Sequence, residues 1–304
     1  MIESIFLHLP IENLAKYPFQ PIAQGPFLLF LDKYPVMVSP IIGGFVGGDA
    51  FMNLAATIYM DIPKPYMIID LGTNTETILV TKEEIYATST PAGPAFEGYV
   101  SKGSVSYLGG IYDVRIKQLR ENGEPVFTYK YIGNPSGLLG NGIISLVAEL
   151  LRYNLVDCTG RFRKGYRLVN GKKAFVIDKE NDVYFTQKDA RELQKAIAAV
   201  KASWEILLRK AGIRSDDLEA VIITGTFGSY LSVDDVISLG MIPPIPRDRV
   251  IIAGNLVLGG LKLYSLDLDV YRKTHAILKM IKYVNLAETS EFTETWIESL
   301  SFKC

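Results

Sequence analysis

The chain has 304 residues, 48% of them hydrophobic, and a formal net charge of -1, enough for one large domain or two ordinary ones with a sizeable core. Balanced, dispersed charge argues against a nucleic-acid backbone or an anionic membrane as partner, and no uninterrupted apolar run reaches the roughly 20 residues of a membrane span. Two cysteines, Cys158 and Cys304, read as a reducing, cytoplasmic setting and are too few for a Cys-ligated iron–sulfur cluster, which takes about four thiolates; with only His8 and His275, a His-based metal site or a Ser-His-Asp triad is not expected.

Met1–Pro10 carries Glu3 and no basic region, so it does not read as a secretory signal. Residues 1–40 hold Pro10, Pro18, Pro21, Pro26, Pro35 and Pro40 and read as an extended lead-in packing on a domain of residues 41–304. Gly47, Gly48 and Asp49 open an apolar helix. Tyr66–Asp70, Glu76–Thr81 and Ile85–Ser89 read as a three-stranded meander. Residues 104–117 and 126–132 fit further strands. A helix is expected over Gly140–Asn154, then a hairpin of Ala174–Asp178 and Val183–Phe185. The Thr186-Gln-Lys-Asp189 capping box opens a helix to about Ala211, stopped by Gly212. Ala220–Thr224 is a continuous apolar strand of the kind covered on both faces. A helix from Ser232 to Gly240, a strand Val250–Ala253 and a helix Leu256–Leu263 follow, and residues 268–304 read as mostly helical. The order points to an α/β fold with a mixed β-sheet flanked by helices.

Several glycine turns fall at strand or helix ends. In "MIIDLGTNTETILV" a buried strand ends on Asp70 and turns through Gly72, Thr73 and Asn74. Backbone N–H groups, a hydroxyl and an amide converge there, as suits phosphate oxygens, and Asp70 could hold Mg2+ or its water. The same residues also make an ordinary hairpin whose Asp and Asn satisfy their own turn. In "VIITGTFGSYL" the strand ends in Gly225, Thr226, Phe227 and Gly228, where a flat ligand can lie against backbone or a tight β-to-α turn simply needs glycine. Glu97, beyond the Pro91–Pro94 loop, either orients water or a metal or caps the next segment. "NPSGLLGNGIISLV" and "AGNLVLGG" add two glycine-rich helix entries, and so many such turns together suggest one shared ligand cleft.

D-L-G-T-N-T-E, P-A-G-P-A-F-E-G, S-G-L-L-G-N-G-I-I, T-G-T-F-G-S-Y-L, G-M-I-P-P and G-N-L-V-L-G-G occur in this order. The set resembles the ATPase domain of the reductive activators of corrinoid proteins, in the actin-like, sugar-kinase and heat-shock ATPase superfamily. That resemblance implies a ribonuclease-H-like fold, ATP and Mg2+ as cofactors, and ATP-driven return of a corrinoid protein from Co(II) to Co(I). It assigns Asp70 and Glu97 as candidate catalytic carboxylates, Asp70 as the metal ligand, Gly72, Thr73 and Asn74 to phosphate, and Gly225, Thr226, Phe227 and Gly228 to the nucleoside. The expected partners are the corrinoid protein and a separate electron donor or ferredoxin-bearing subunit, with a homodimer left open. Family members carry two D-x-G-T hairpins and a ferredoxin-like domain. This sequence holds a single D-x-G-T, so ATPase-type turnover is expected to need a partner that supplies the other half. A docking scaffold for a corrinoid protein, or a small-molecule kinase of the same superfamily, are the alternatives.

Overall fold

The computed structural model describes residues 27–31, 33–105, 108–225, 230–286 and 289–303. The elements in chain order are β1 (Phe27–Leu31), β2 (Tyr34–Val38), α1 (Gly48–Tyr59), β3 (Tyr66–Asp70), β4 (Asn74–Val80), β5 (Ile85–Pro91), β6 (Gly109–Leu119), β7 (Pro125–Gly133) and α2 (Gly140–Arg152). There follow β8 (Arg167–Val169), β9 (Lys172–Asp178), β10 (Val183–Thr186), α3 (Gln187–Ala211), β11 (Ala220–Thr224), α4 (Val233–Leu239), β12 (Val250–Ile252), α5 (Leu256–Leu266), α6 (Leu268–Ile277), β13 (Ile281–Tyr283) and α7 (Ser290–Glu298). Within the Pro-rich lead-in, β1 and β2 pair as an antiparallel hairpin, with Pro35 opposite Phe30.

The central sheet runs β12-β11-β3-β4-β5-β13. The meander β3-β4-β5 is antiparallel, β11 lies parallel to β3 with β12 parallel beyond it, and β13 pairs parallel to β5. Alternation along each strand divides the core in two. Met67, Ile69, Leu79, Val221 and Ile223 pack with α2 and α3. Ile68, Ile78, Val80, Ala220 and Ile222 pack on the opposite side with Phe51 and Leu54 of α1 and Tyr264 of α5. Every residue of β11 is buried, because helices cover it on both faces. This is the actin-like arrangement expected, an α/β fold with a mixed sheet between helical layers.

Local chemistry fixes the longest helix. The Thr186 hydroxyl accepts from the Asp189 N–H at 3.2 Å, the Asp189 carboxylate accepts from the Thr186 N–H at 2.8 Å, and Gly212 ends the helix at φ 66°. The inserted hairpin β6-β7 docks on α2 through backbone donors. The N–H groups of Val114 and Ile116 donate to Ser145 and Glu149, each at 2.9 Å. The side chain between them, Arg115, makes a bidentate pair with the buried Asp235 of α4 at 3.0 and 2.7 Å. Cys158 is disulfide-bonded, whereas the cysteine count alone reads as a reducing setting. Among the described residues no helix is long and apolar enough to cross a membrane.

Candidate functional site

Strand register builds the site. Asp70 stands opposite Glu76 on β4 and beside Thr224 on β11, and Glu76 stands opposite Ser89 on β5. Residues opposite one another share a face, so Thr224, Asp70, Glu76 and Ser89 form one row across four strands. The row caps the apolar stack under α1. The two carboxylates of the row have partners within it or from that helix. Asn53 of α1 donates to Asp70 Oδ2 at 2.6 Å, and Ser89 donates to Glu76 at 2.9 Å.

The two glycine corners meet at this row. The N–H of Leu71 donates to the Thr224 carbonyl at 3.0 Å, and a Cβ added at Gly225 would stand 2.5 Å from the Leu71 carbonyl oxygen. Gly225 holds φ +122°, so only glycine satisfies both the conformation and the close approach. The third corner joins through the same threonine. Thr224 Oγ1 donates to the Gly254 carbonyl at 2.7 Å and accepts from the Leu256 N–H at 3.2 Å, which places the start of α5 beside β11. Asn255 caps that helix through the Leu258 N–H at 3.1 Å.

The Pro91–Glu97 segment closes the opposite flank. The Gly93 N–H donates to the Thr73 carbonyl at 2.9 Å. Glu97 Oε1 accepts from the Thr73 N–H at 3.2 Å and from the Thr73 hydroxyl. Gly140, from the fourth glycine-rich turn, lies against the Phe96 carbonyl. Asp70, Gly72, Thr73, Asn74, Glu97 and Gly225 therefore belong to one contiguous patch, while Thr226, Phe227 and Gly228 lie outside the described residues. A cavity of about 500 Å³ sits on the outer side of the same loop, lined by Pro91, Ala95, Tyr99, Lys195, Phe292 and Trp296. None of its lining residues belongs to the Asp70 or Gly225 corner, so it is a separate feature.

Electrostatics at the row are one-sided. Burial raises the Asp70 carboxyl above its ordinary range, the Asn53 hydrogen bond offsets part of this, and the nearby charge of Asp49 adds to it. Glu76 is pushed up to about 7, first by burial and then by Asp49. Among the described residues no lysine or arginine pairs with Asp49, Asp70 or Glu76, and no three acidic, His or Cys side chains come together as a metal cage. Asn53 Oδ1 is fully buried and has no hydrogen-bond partner. The sequence reading named Asp49 only within a glycine turn that opens a helix, and missed Asn53 and Glu76 as site residues. Their signals were present: Asp49 and Asn53 stand four apart as polar positions on a largely apolar helix, and a turn at 72–73 puts residue 76 opposite residue 70.

The family described as the C-terminal domain of RACo, the ASKHA domain, matches residues 64–304. A corrinoid activation enzyme, RamQ, from Eubacterium limosum is 33% identical over 98% of this chain and 54% of its own length. A [Co(II) methylated amine-specific corrinoid protein] reductase from Methanosarcina barkeri is 28% identical over 90% of this chain and 52% of its own. A solved structure of a reductive activator for a corrinoid, iron–sulfur protein superposes with a TM-score of 0.83 at 25% identity, covering 99% of this chain and 51% of that one. The chain thus spans about half the length of the proteins it matches.

Proposed function

Because this chain belongs to the family of the RACo C-terminal ASKHA domain, we propose that it is the nucleotide-binding part of a reductive activator that returns a corrinoid protein from Co(II) to Co(I). The observation that carries the reading is the junction of the Asp70 and Gly225 corners, held by the Leu71 N–H on the Thr224 carbonyl at 3.0 Å. Phosphate oxygens of ATP would lie on the turn of Gly72, Thr73 and Asn74, and Gly225, with Thr226, Phe227 and Gly228 next in sequence, would border the nucleoside.

The residues present fit a hydrated Mg2+. The half-buried Asp70 carboxylate, held by the Asn53 amide but without a cationic partner, and the orphan oxygen of Asn53 are both acceptors that a cation would satisfy. Mg2+ typically takes one or two protein carboxylates and completes its shell with water and phosphate, which suits Asp70 standing without a cage. Bound, the ion would neutralise phosphate charge. This chain's part is to hold and orient the nucleotide. Nucleotide occupancy would bias the cleft between open and closed states and so alter the grip on a corrinoid protein. The electron that reduces Co(II) to Co(I) comes from a separate donor.

Titration calorimetry with Mg-ATP or a non-hydrolysable analogue tests this. Binding below millimolar concentration is expected, with at least about tenfold loss in Asp70→Ala. No heat at millimolar nucleotide from a folded chain refutes it. A docking scaffold rests on the single D-x-G-T hairpin of the sequence. It predicts that Asp70→Ala leaves corrinoid-protein binding, and its response to nucleotide, unchanged.

A further inference from the structure

Two donors at the phosphate turn are already engaged. The Thr73 N–H and hydroxyl both donate to one carboxylate oxygen of Glu97. A carboxylate and a phosphate are interchangeable acceptors for such donors, since each offers an anionic oxygen. An internal anion therefore stands where the reading above places a nucleotide oxygen.

The backbone presents Glu97 from a fixed platform. Pro94–Glu97 is a single 3-10 turn that begins on proline. Gly98 follows at φ +85°, where an added Cβ would run into the Ser104 carbonyl. The preceding residue, Phe96, is buried, with Gly140 seated against its carbonyl. From the other end, the Gly93 N–H holds the Thr73 carbonyl at 2.9 Å, so loop and turn stay in register. Against this rigid mounting, the Glu97 side chain itself is exposed, with three rotatable bonds, and among the described residues no ion pair restrains it. It can leave the turn without disturbing the core.

We propose that Glu97 is a built-in competitor for the phosphate turn, occupying the Thr73 donors until a nucleotide phosphate displaces it. The proposal deepens the nucleotide reading and rests on it. A site available only a fraction of the time binds more weakly by that fraction. A turn held by Glu97 about nine-tenths of the time loses roughly tenfold in affinity. Contact that draws the Glu97 side chain aside restores that factor, which gives a partner a means of loading nucleotide without touching it.

The experiment titrates wild type, Glu97→Ala and Glu97→Gln with Mg-tripolyphosphate and with a non-hydrolysable Mg-ATP analogue. Circular dichroism melting confirms that each variant is folded, and the Thr73 amide resonance reports on the turn directly. Glu97→Ala is expected to bind both ligands about tenfold tighter. Glu97→Gln, which keeps an acceptor but loses the charge, is expected to fall between, and it decides the matter if the alanine variant does not fold. The Thr73 amide is expected to shift on mutation and on adding ligand to wild type. Tighter binding by a variant supports the proposal even where wild-type binding is too weak to detect. Wild type that binds while neither variant binds tighter overturns the Glu97 assignment and leaves the nucleotide reading standing. Failure of all three chains to bind either ligand overturns both.

Discussion

Replacing Glu76 by Gln should make the protein more stable at pH 8 and change it much less at pH 5. Glu76 sits in the polar row with its carboxyl pushed from 4.5 up to about 7, chiefly by burial and then by the charge of Asp49. A folded-state value above the unfolded one means that the folded protein holds the extra proton between those limits. Stability is then fully present below about pH 4.5, falls as pH rises through about 7, and levels off above. The difference corresponds to roughly 3 kcal/mol, an upper figure because Asp49 is exposed and Asp70 titrates in the same cluster. Glutamine keeps an oxygen for the Ser89 hydroxyl, which donates at 2.9 Å, and never ionises. The expected gain at pH 8 is therefore roughly 2 kcal/mol, or about 4 °C in Tm for a chain of this size. Urea denaturation followed by circular dichroism, from pH 5 to pH 8, gives the comparison. A variant less stable than wild type at pH 8, or one whose stability falls with pH as steeply as wild type, would refute the placement of Glu76 in an acceptor-rich, cation-poor row.

Two further outcomes follow from packing. Arg115→Ala leaves Asp235, 1% exposed, with only Arg152 at 3.4 Å, and should cost about 3 kcal/mol in urea unfolding; a loss below about 1 kcal/mol would show that the pair does not anchor β6 to α4. Gly225→Ala forces a side chain to φ +122° and against the Leu71 carbonyl oxygen, so a loss of about 2–3 kcal/mol is expected together with weakened Mg-nucleotide binding; unchanged melting and binding would mean that the two corners do not meet as described.

The meander and the capping box were legible because both are local. Alternation and a tight turn define β3 and β4, and Thr186 with Asp189 marks the start of α3 without reference to the rest of the chain. The parallel pairings were not legible. Thr224 reaches Asp70 only because β11 comes back beside β3 after the long excursion through β6-β7, β8-β10 and α3, and no short-range pattern encodes that neighbour. β13 went unread for a different reason. Ile281–Tyr283 is three residues long inside a segment of helical composition, and it becomes a strand because the edge of β5 offers unpaired backbone groups. Glu76 lay within the very stretch that drew notice, yet nothing singled it out until register placed it opposite Asp70.

Charge at the row constrains what can complete the site. Asp49, Asp70 and Glu76 gather on one side, and among the described residues no lysine or arginine answers them. A triphosphate adds further negative charge, and with Glu97 on the Thr73 donors even the turn's N–H is engaged by an anion. Like charges at such distances oppose binding unless something positive stands between them. On the proposed reading, two sources can supply it. A divalent ion held by Asp70 would neutralise charge at the cluster, and an element from a partner that supplies the other half would bring donors or cations to the nucleotide. The first answers the carboxylates and leaves the rest of the triphosphate charge to the second. This wall of the cleft is therefore rich in acceptors and short of donors, so the wall that closes on it has to carry the opposite bias.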